Sequence, residues 1–154
     1  MEVYLVQHGR ALPKDTDPAR PLSQEGRADV RSIAAALGRN IRVERLIHSA
    51  KERARQTAEI LMTMPGCSAA PEESGGLSPK DSVEPWAERL AEAEESTMLV
   101  GHLPFMGRLA SVLLGDEPTM ERVRFTPGTV LGLSRTDDGW RLELLIRPEQ
   151  LGGV

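Results

Sequence analysis

Hydrophobic positions along this chain fall into short runs separated by longer stretches of helical spacing. The first run, Val3-Tyr4-Leu5-Val6, is too short for a helix and lacks polar alternation, so it reads as a strand covered on both faces, as in the middle of a parallel sheet. It stops abruptly at Gln7-His8-Gly9-Arg10. Leu12 to Arg20, with its prolines and aspartates, reads as a surface loop beside that strand end. Ser23 fits a helix N-cap, Val30, Ile33, Ala34 and Leu37 recur at helical spacing, and Gly38 is a natural stop, which predicts a helix over Gln24–Leu37. Val43 to His48 predicts a second buried strand, ending at His48-Ser49. Lys51 to Met64 is rich in helix formers, with Ala54, Thr57, Ala58, Leu61 and Met62 on one face and Pro65-Gly66 closing it.

From Gly66 to Ser82 small residues, glutamates, glycine and proline prevail, and the pattern supports only a short strand around Ser68 to Ala70. Pro85 at a first-turn position, with Trp86, Leu90 and Ala91, predicts a helix over Val83–Glu94. Thr97-Met98-Leu99-Val100 repeats the opening run, and Gly101-His102 repeats its ending. Pro104 can start the next helix, whose apolar face is Phe105, Leu109, Val112 and Leu113, before Gly115. The last third changes character: Thr129 to Leu133 and Trp140 to Ile146, joined through Thr136-Asp137-Asp138-Gly139, predict an antiparallel hairpin. Residues 147 to 154 read as a frayed tail. The alternation of strands and helices up to Gly115 predicts an α/β protein with three α/β/α layers, the hairpin extending one edge of the sheet.

Composition narrows the class. A chain of 154 residues, 40% hydrophobic and 27% charged, is expected to form one compact soluble domain over 1–154. No apolar run approaches the roughly 18 residues needed to span a bilayer, and the first strand has neither a basic leader nor a small-residue cleavage site, so a cytoplasmic protein without membrane attachment is expected. One cysteine, Cys67, excludes an internal disulfide and a cysteine-rich zinc site. A net charge of −4 and only five aromatic residues of the Phe, Trp and Tyr types argue against nucleic acid as a partner. Basic residues are nevertheless concentrated in Lys51-Glu52-Arg53-Ala54-Arg55, which suits a small anion.

Three strand ends carry His8, His48 and His102, and the helix after the second strand carries Arg53 in its first turn. A histidine there can act as base, acid, nucleophile or metal ligand, or simply fill a hydrogen-bonded structural place. In an open α/β sheet, ligands bind outside the carboxyl ends of parallel strands, so these groups can converge. Two histidines and an arginine beside helix N-termini suit a phosphoryl group, because arginine offers a planar fork and free helix N–H groups add donors. Neutral imidazole can attack phosphorus, and a second histidine can stabilise charge on the equatorial oxygens. Zinc is the rival reading, but no His-x-x-x-His spacing or clustered carboxylate supports it.

Three stretches, Gln7-His8-Gly9, Ser49-Ala50-Lys51-Glu52-Arg53-Ala54-Arg55-Gln56-Thr57 and Gly101-His102, resemble the Arg-His-Gly, Ser-x-x-x-Arg-Ala-x-Gln-Thr and late Gly/Ser-His signatures of the histidine phosphatase superfamily. Their order and spacing, with Arg20-Pro21-Leu22-Ser23, Gly26 and His102-Leu103-Pro104, are similar to the small SixA-type phosphohistidine phosphatases. The resemblance implies a mixed, mostly parallel sheet of the phosphoglycerate mutase type, no metal and no cofactor. It implies His8 as nucleophile, with Arg53 and His102 completing the catalytic set, and Gln7, Arg53, His102 and Arg20 as the residues around a phosphate or sulfate. His48 matches no motif position.

The chain departs from the pattern at Gln7, where the family has arginine. Glutamine supplies neither charge nor a bidentate fork. Losing such a contact to a transferring phosphoryl group costs about 2–4 kcal/mol, hence roughly 30- to 1,000-fold in rate, unless Arg10 or Arg20 compensates. No general acid is assignable, although Asp15, Asp17, Glu72 and Glu73 are loop candidates, and an imidazole leaving group needs less such help. The expected activity is therefore removal of phosphate from a phosphohistidine on a phosphotransfer or histidine-kinase type domain. Two alternatives stand beside it: a binding module that has lost catalysis through Gln7, and a small-molecule phosphomonoesterase.

Overall fold

A computed structural model describes residues 1–152. The strands are β1 (Glu2–Gln7), β2 (Arg45–His48), β3 (Pro71–Glu73), β4 (Thr97–Gly101), β5 (Val130–Thr136) and β6 (Gly139–Ile146). Among the described residues the α-helices are α1 (Gln24–Leu37), α2 (Glu52–Leu61), α3 (Glu84–Glu92) and α4 (Phe105–Leu113). The strands form one mixed sheet in the order β3-β2-β4-β1-β5-β6, with β1 to β4 parallel and the β5–β6 hairpin antiparallel at one edge. None of these helices is long and apolar enough to cross a membrane.

The two faces of the sheet follow from the period of two along each strand. Val3 and Leu5 of β1, Ile47 of β2, Leu99 of β4 and Leu131 and Leu133 of β5 pack with Trp86, Leu90, Phe105 and Leu109 of α3 and α4. Tyr4, Val6, Leu46, Met98 and Val100 pack on the opposite face with Val30, Ile33, Ala54, Ala58 and Leu61 of α1 and α2. Both faces of β1 are thus covered, which is why its sequence shows no alternation. The sheet order also places β4 between β1 and β2, although it follows both in the chain.

Helix α1 spans the predicted residues and is capped as expected, the Gly26 N–H donating to the Ser23 hydroxyl at 3.0 Å. Helices α2 and α3 are shorter than their periodicity suggested. Two segments differ from expectation. The third strand lies at Pro71–Glu73 rather than around Ser68 to Ala70: the chain first touches Val43 through an isolated bridge at Cys67 and only then joins β2. This is an edge strand with mostly exposed side chains, so its register is set by backbone pairing with β2 and leaves no hydrophobic pattern to read. The tail is not frayed over 147–151. Pro148–Leu151 forms a 3-10 turn, Leu151 packs on the α1 and α2 side, and the Thr126 hydroxyl donates to Glu149 Oε1 at 2.9 Å. Residues 153 and 154 of the predicted tail lie outside the described residues.

The loop after β1 returns to α1 through a close backbone approach. Ser23 N–H donates to Arg10 O at 2.9 Å, and a Cβ added at Gly26 would stand 2.1 Å from that same oxygen. The fixed partner is backbone, so a side chain at this position must displace the loop that follows the nucleophile candidate. Gly26→Ala is therefore expected to destabilise the protein by about 1–3 kcal/mol, read as a lowered denaturant midpoint at unchanged slope. An unchanged midpoint would show that the loop yields freely.

Candidate active site

The carboxyl ends of β1, β4 and β2 lie side by side, and each is followed by a polar residue of the site. His8 N–H donates to Gly101 O at 3.0 Å and Ser49 N–H to Val100 O at 3.1 Å, so both residues are locked to β4 by backbone. His102 follows β4 directly and is buried. The rings of His8 and His102 have centroids 5.0 Å apart and are tilted by 58°. Helix α2 begins just after Ser49 and α4 just after His102, and neither has a side-chain N-cap. Their first N–H groups thus remain available as donors.

The orientation of His8 follows from its hydrogen bonds. Nδ1 is 2.7 Å from the carbonyl oxygen of Gly9, which can only accept, so Nδ1 carries the proton. The lone pair then lies on Nε2, which accepts from Arg53 Nε at 3.3 Å. Glycine at position 9 permits this geometry, since a Cβ there would come within 2.8 Å of Val30 Cγ2 and 3.2 Å of Gly26 O.

The polar residues around Arg53 act as struts between α2 and the loop after β1. Thr57 Oγ1 accepts from Gly9 N–H at 3.0 Å while donating to Arg53 O at 2.8 Å. Gln56 Oε1 accepts from Leu22 N–H at 2.7 Å. Ser49 Oγ lies 2.6 Å from His102 Nε2. The roles of Ser49, Gln56 and Thr57 escaped the reading of the sequence by periodicity, in which Thr57 counted as part of an apolar helix face. The signal was present in the Ser-x-x-x-Arg-Ala-x-Gln-Thr pattern, whose serine, glutamine and threonine are these three residues.

The structure brings His8, Arg53 and His102 together and sends Arg10 elsewhere. Arg10 is exposed and paired with Glu25 at 3.0 Å and Asp29 at 3.8 Å on α1. Arg20 sits at the neck of the closed loop between Ala11 and Leu22, with Nε donating to Leu12 O at 3.1 Å. Its φ of 49° is left-handed, a conformation that costs a non-glycine residue about 1–2 kcal/mol. From there its charge reaches His8, Arg53 and His102. Gln7 is buried, and its Oε1 has no hydrogen-bond partner among the described residues. His48 is satisfied by the Ser49 carbonyl at 2.8 Å, the structural place that its absence from the motifs implied. Of the candidate carboxylates, Glu72, which lies in β3 and not in a loop, is paired with Arg45 at 2.7 Å, and Asp17 accepts from Ala19 N–H at 3.0 Å. No group of three or more metal-capable side chains occurs among the described residues.

Residues 3–77 match the model of the histidine phosphatase superfamily (branch 1). Over those residues, just under half of its length, the chain carries the pattern of the histidine phosphatase superfamily. Solved structures similar to it extend that relation over nearly its whole length. The protein histidine phosphatase SixA complexed with tungstate is 27% identical, with a TM-score of 0.80 over 98% of this chain and 99% of that one. A Nakamurella multipartitia protein named as a phosphohistidine phosphatase SixA is 26% identical, with a TM-score of 0.74 over 96% and 95%. The alpha-ribazole phosphatase from Shigella flexneri shares the fold at 16% identity, with a TM-score of 0.78 over 96% and 97%. No curated protein matches the chain significantly. The superfamily assignment and these relatives support a phosphatase.

Electrostatics in this histidine phosphatase fold keep both rings uncharged. Burial, with the charges of Arg53 and Arg20, pushes His8 down to about 4 against the opposing pull of the Gly9 carbonyl. Burial, then His8 and the cations Arg53, Lys51 and Arg20, pushes His102 down to about 3. Arg53 is lowered by burial and by Arg20. Because the folded values lie below the ordinary 6.5, the unfolded chain binds more protons in this window. The stability contributed by the neutral rings is present above pH 6.5 and is lost as pH falls towards 4 and 3.

A histidine-resolved NMR titration of the free protein should give midpoints of about 4 for His8 and about 3 for His102. Inorganic phosphate should raise the His8 midpoint, since a nearby anion favours imidazolium. A His8 midpoint near 6.5 without phosphate would contradict the burial argument.

Proposed function

We propose that this chain hydrolyses phosphohistidine on a signalling or phosphotransfer protein, with His8 as the covalent nucleophile. The observation that carries the reading is the His8 Nε2 lone pair, fixed by the Nδ1–H bond to Gly9 O and held beside Arg53 and His102. Nε2 attacks phosphorus, and the bond from phosphorus to the substrate imidazole nitrogen breaks. The substrate ring, protonated on its distal nitrogen, departs as neutral imidazole. Water then attacks the phosphoryl group on His8, a phosphorus–oxygen bond forms and the bond to Nε2 breaks, and both protons of the water leave with the phosphate as H2PO4−. His8 leaves as neutral imidazole too, because the Gly9 carbonyl has kept the proton on Nδ1 throughout. Arg53, Arg20 and His102 are the groups that balance charge on the equatorial oxygens in both steps.

The phosphohistidine substrate is supported by the 27% and 26% identity to the SixA proteins over nearly the full chain. It is further supported by the engagement of Glu72 and Asp17 away from the histidines, since a phosphate ester needs an acid for its alkoxide and a protonated imidazole does not. A groove of about 310 Å³ lined by Leu103, Arg108, Met120, Val123 and Phe125 begins at the residue after His102. It offers apolar contact to the protein surface around a phosphohistidine. Arg20, and not Arg10, compensates for Gln7, because Arg10 is held on α1 by two carboxylates.

One observation favours a second reading, a phosphate-binding module without turnover: the buried, unpartnered Gln7 Oε1 stands where an arginine would bring charge. Turnover separates the two. His8→Ala should abolish hydrolysis of a phosphohistidine peptide while wild type turns over, and wild-type binding without hydrolysis would establish the module instead. A sugar phosphate consumed in preference to the peptide in direct competition would point to a small-molecule esterase. Arg20→Gln should lower kcat by roughly 10²- to 10³-fold, the range for one lost charge-stabilising donor, whereas Arg10→Gln should change it less than threefold. Equal losses at the two arginines would refute the compensation.

A further inference from the structure

His102 has two ring nitrogens with different surroundings. Nε2 is 2.6 Å from Ser49 Oγ, whereas Nδ1 is buried and has no partner among the described residues. Among the described residues, Ser49 Oγ has one other neighbour within hydrogen-bond range, the Lys51 N–H at 3.4 Å, which can only donate. The serine hydroxyl is itself buried and needs an acceptor for its proton. Within reach, that acceptor is His102 Nε2. We propose that Ser49 is a positioning residue that fixes His102 in the Nδ1–H tautomer, so that the ring presents a hydrogen-bond donor to the phosphoryl group. The relay runs from Lys51 N–H to Ser49 Oγ, from the Ser49 hydroxyl to Nε2, and from Nδ1–H to the ligand.

This inference rests on the reading of the pocket as a phosphoryl site, and the chemistry of that ligand gives it its point. The oxygens of a phosphoryl dianion accept hydrogen bonds and do not donate. A neutral imidazole in the opposite tautomer would aim a lone pair at them, leaving the Ser49 hydroxyl without an acceptor as well. A charged ring would avoid the choice, but His102 is surrounded by His8, Arg53, Lys51 and Arg20, and burial opposes its protonation. In a neutral ring the tautomer decides whether His102 helps or hinders, and the serine decides the tautomer.

The tautomer can be read without any substrate. Long-range proton–nitrogen NMR on histidine-labelled free protein at neutral pH should show the proton of His102 on Nδ1. In Ser49→Ala the same ring should become a mixture or turn to Nε2–H, and Ser49→Thr, which keeps the hydroxyl, should restore Nδ1–H. A wild-type ring protonated on Nε2 overturns the proposal whatever the activity. Kinetically, Ser49→Ala should lower kcat about 10- to 100-fold with less than a threefold change in KM for a phosphohistidine peptide. In a His102→Gln background the same change should cost less than threefold, because the group that it positions is gone; fully additive losses overturn the relay. The two readings fail separately. Nδ1–H on His102 with no hydrolysis refutes the phosphatase alone, whereas His8-dependent hydrolysis with Nε2–H on His102 refutes the relay alone.

Discussion

The site depends on one pairing, that of β4 with both β1 and β2. In chain order β4 comes last of the three, yet it lies between the others in the sheet. Its carbonyls at Val100 and Gly101 accept from the backbone of Ser49 and His8, and its own chain continues into His102. A shift of β4 by one residue would turn Met98 and Val100 to the wrong face and withdraw His102 from His8 at the same stroke. The two hydrophobic clusters that cover the sheet therefore hold the register on which the chemistry depends.

Around that pairing the polar residues divide into those that face a ligand and those that hold them in place. Gly9 accepts from His8 and donates to Thr57, Thr57 donates to the backbone of Arg53, and Gln56 receives Leu22. Nucleophile candidate, arginine and the loop bearing Arg20 are thus joined by hydrogen bonds to neutral partners. Neutral struts matter here because the cations then stay free of carboxylate partners inside the site and can turn their charge to an incoming anion. Burial, helped by the same cations, keeps both histidines uncharged at neutral pH, which preserves a lone pair on His8 Nε2.

Gln7 shows what such an arrangement tolerates. Its backbone still does the work of a strand end, with N–H to Thr129 O and its carbonyl receiving Gly128 N–H, so the fold does not register the missing arginine. The loss falls on charge alone. Arg20, in a left-handed conformation at the neck of its loop, bonds Leu12 O and bears electrostatically on His8, Arg53 and His102, whereas Arg10, two residues beyond the nucleophile candidate and nearer in sequence, is drawn off to Glu25 and Asp29. Nearness in sequence was no guide to the site, because beyond the end of β1 the Arg10 side chain lies on α1.

The sequence by itself determined the elements marked by local signals: β1 as an unbroken apolar run buried on both faces, α1 to its caps, the hairpin, and the three strand ends that bear histidines. These follow from local rules of spacing, capping and turn chemistry, which need no knowledge of neighbours. The short edge strand at Pro71–Glu73 and the docked turn at Pro148–Leu151 were settled by tertiary contacts, since backbone pairing with β2 and packing on α1 leave no periodic trace. The site divides in the same way. His8, Arg53 and His102 were legible as residue types in motif positions. The 5.0 Å between the rings, the pairing of Arg10 with Glu25 and the partners of His8 Nδ1 and His102 Nε2 came only with the fold, because they depend on where β4 inserts and on which carbonyl, hydroxyl or carboxylate then lies within about 3 Å.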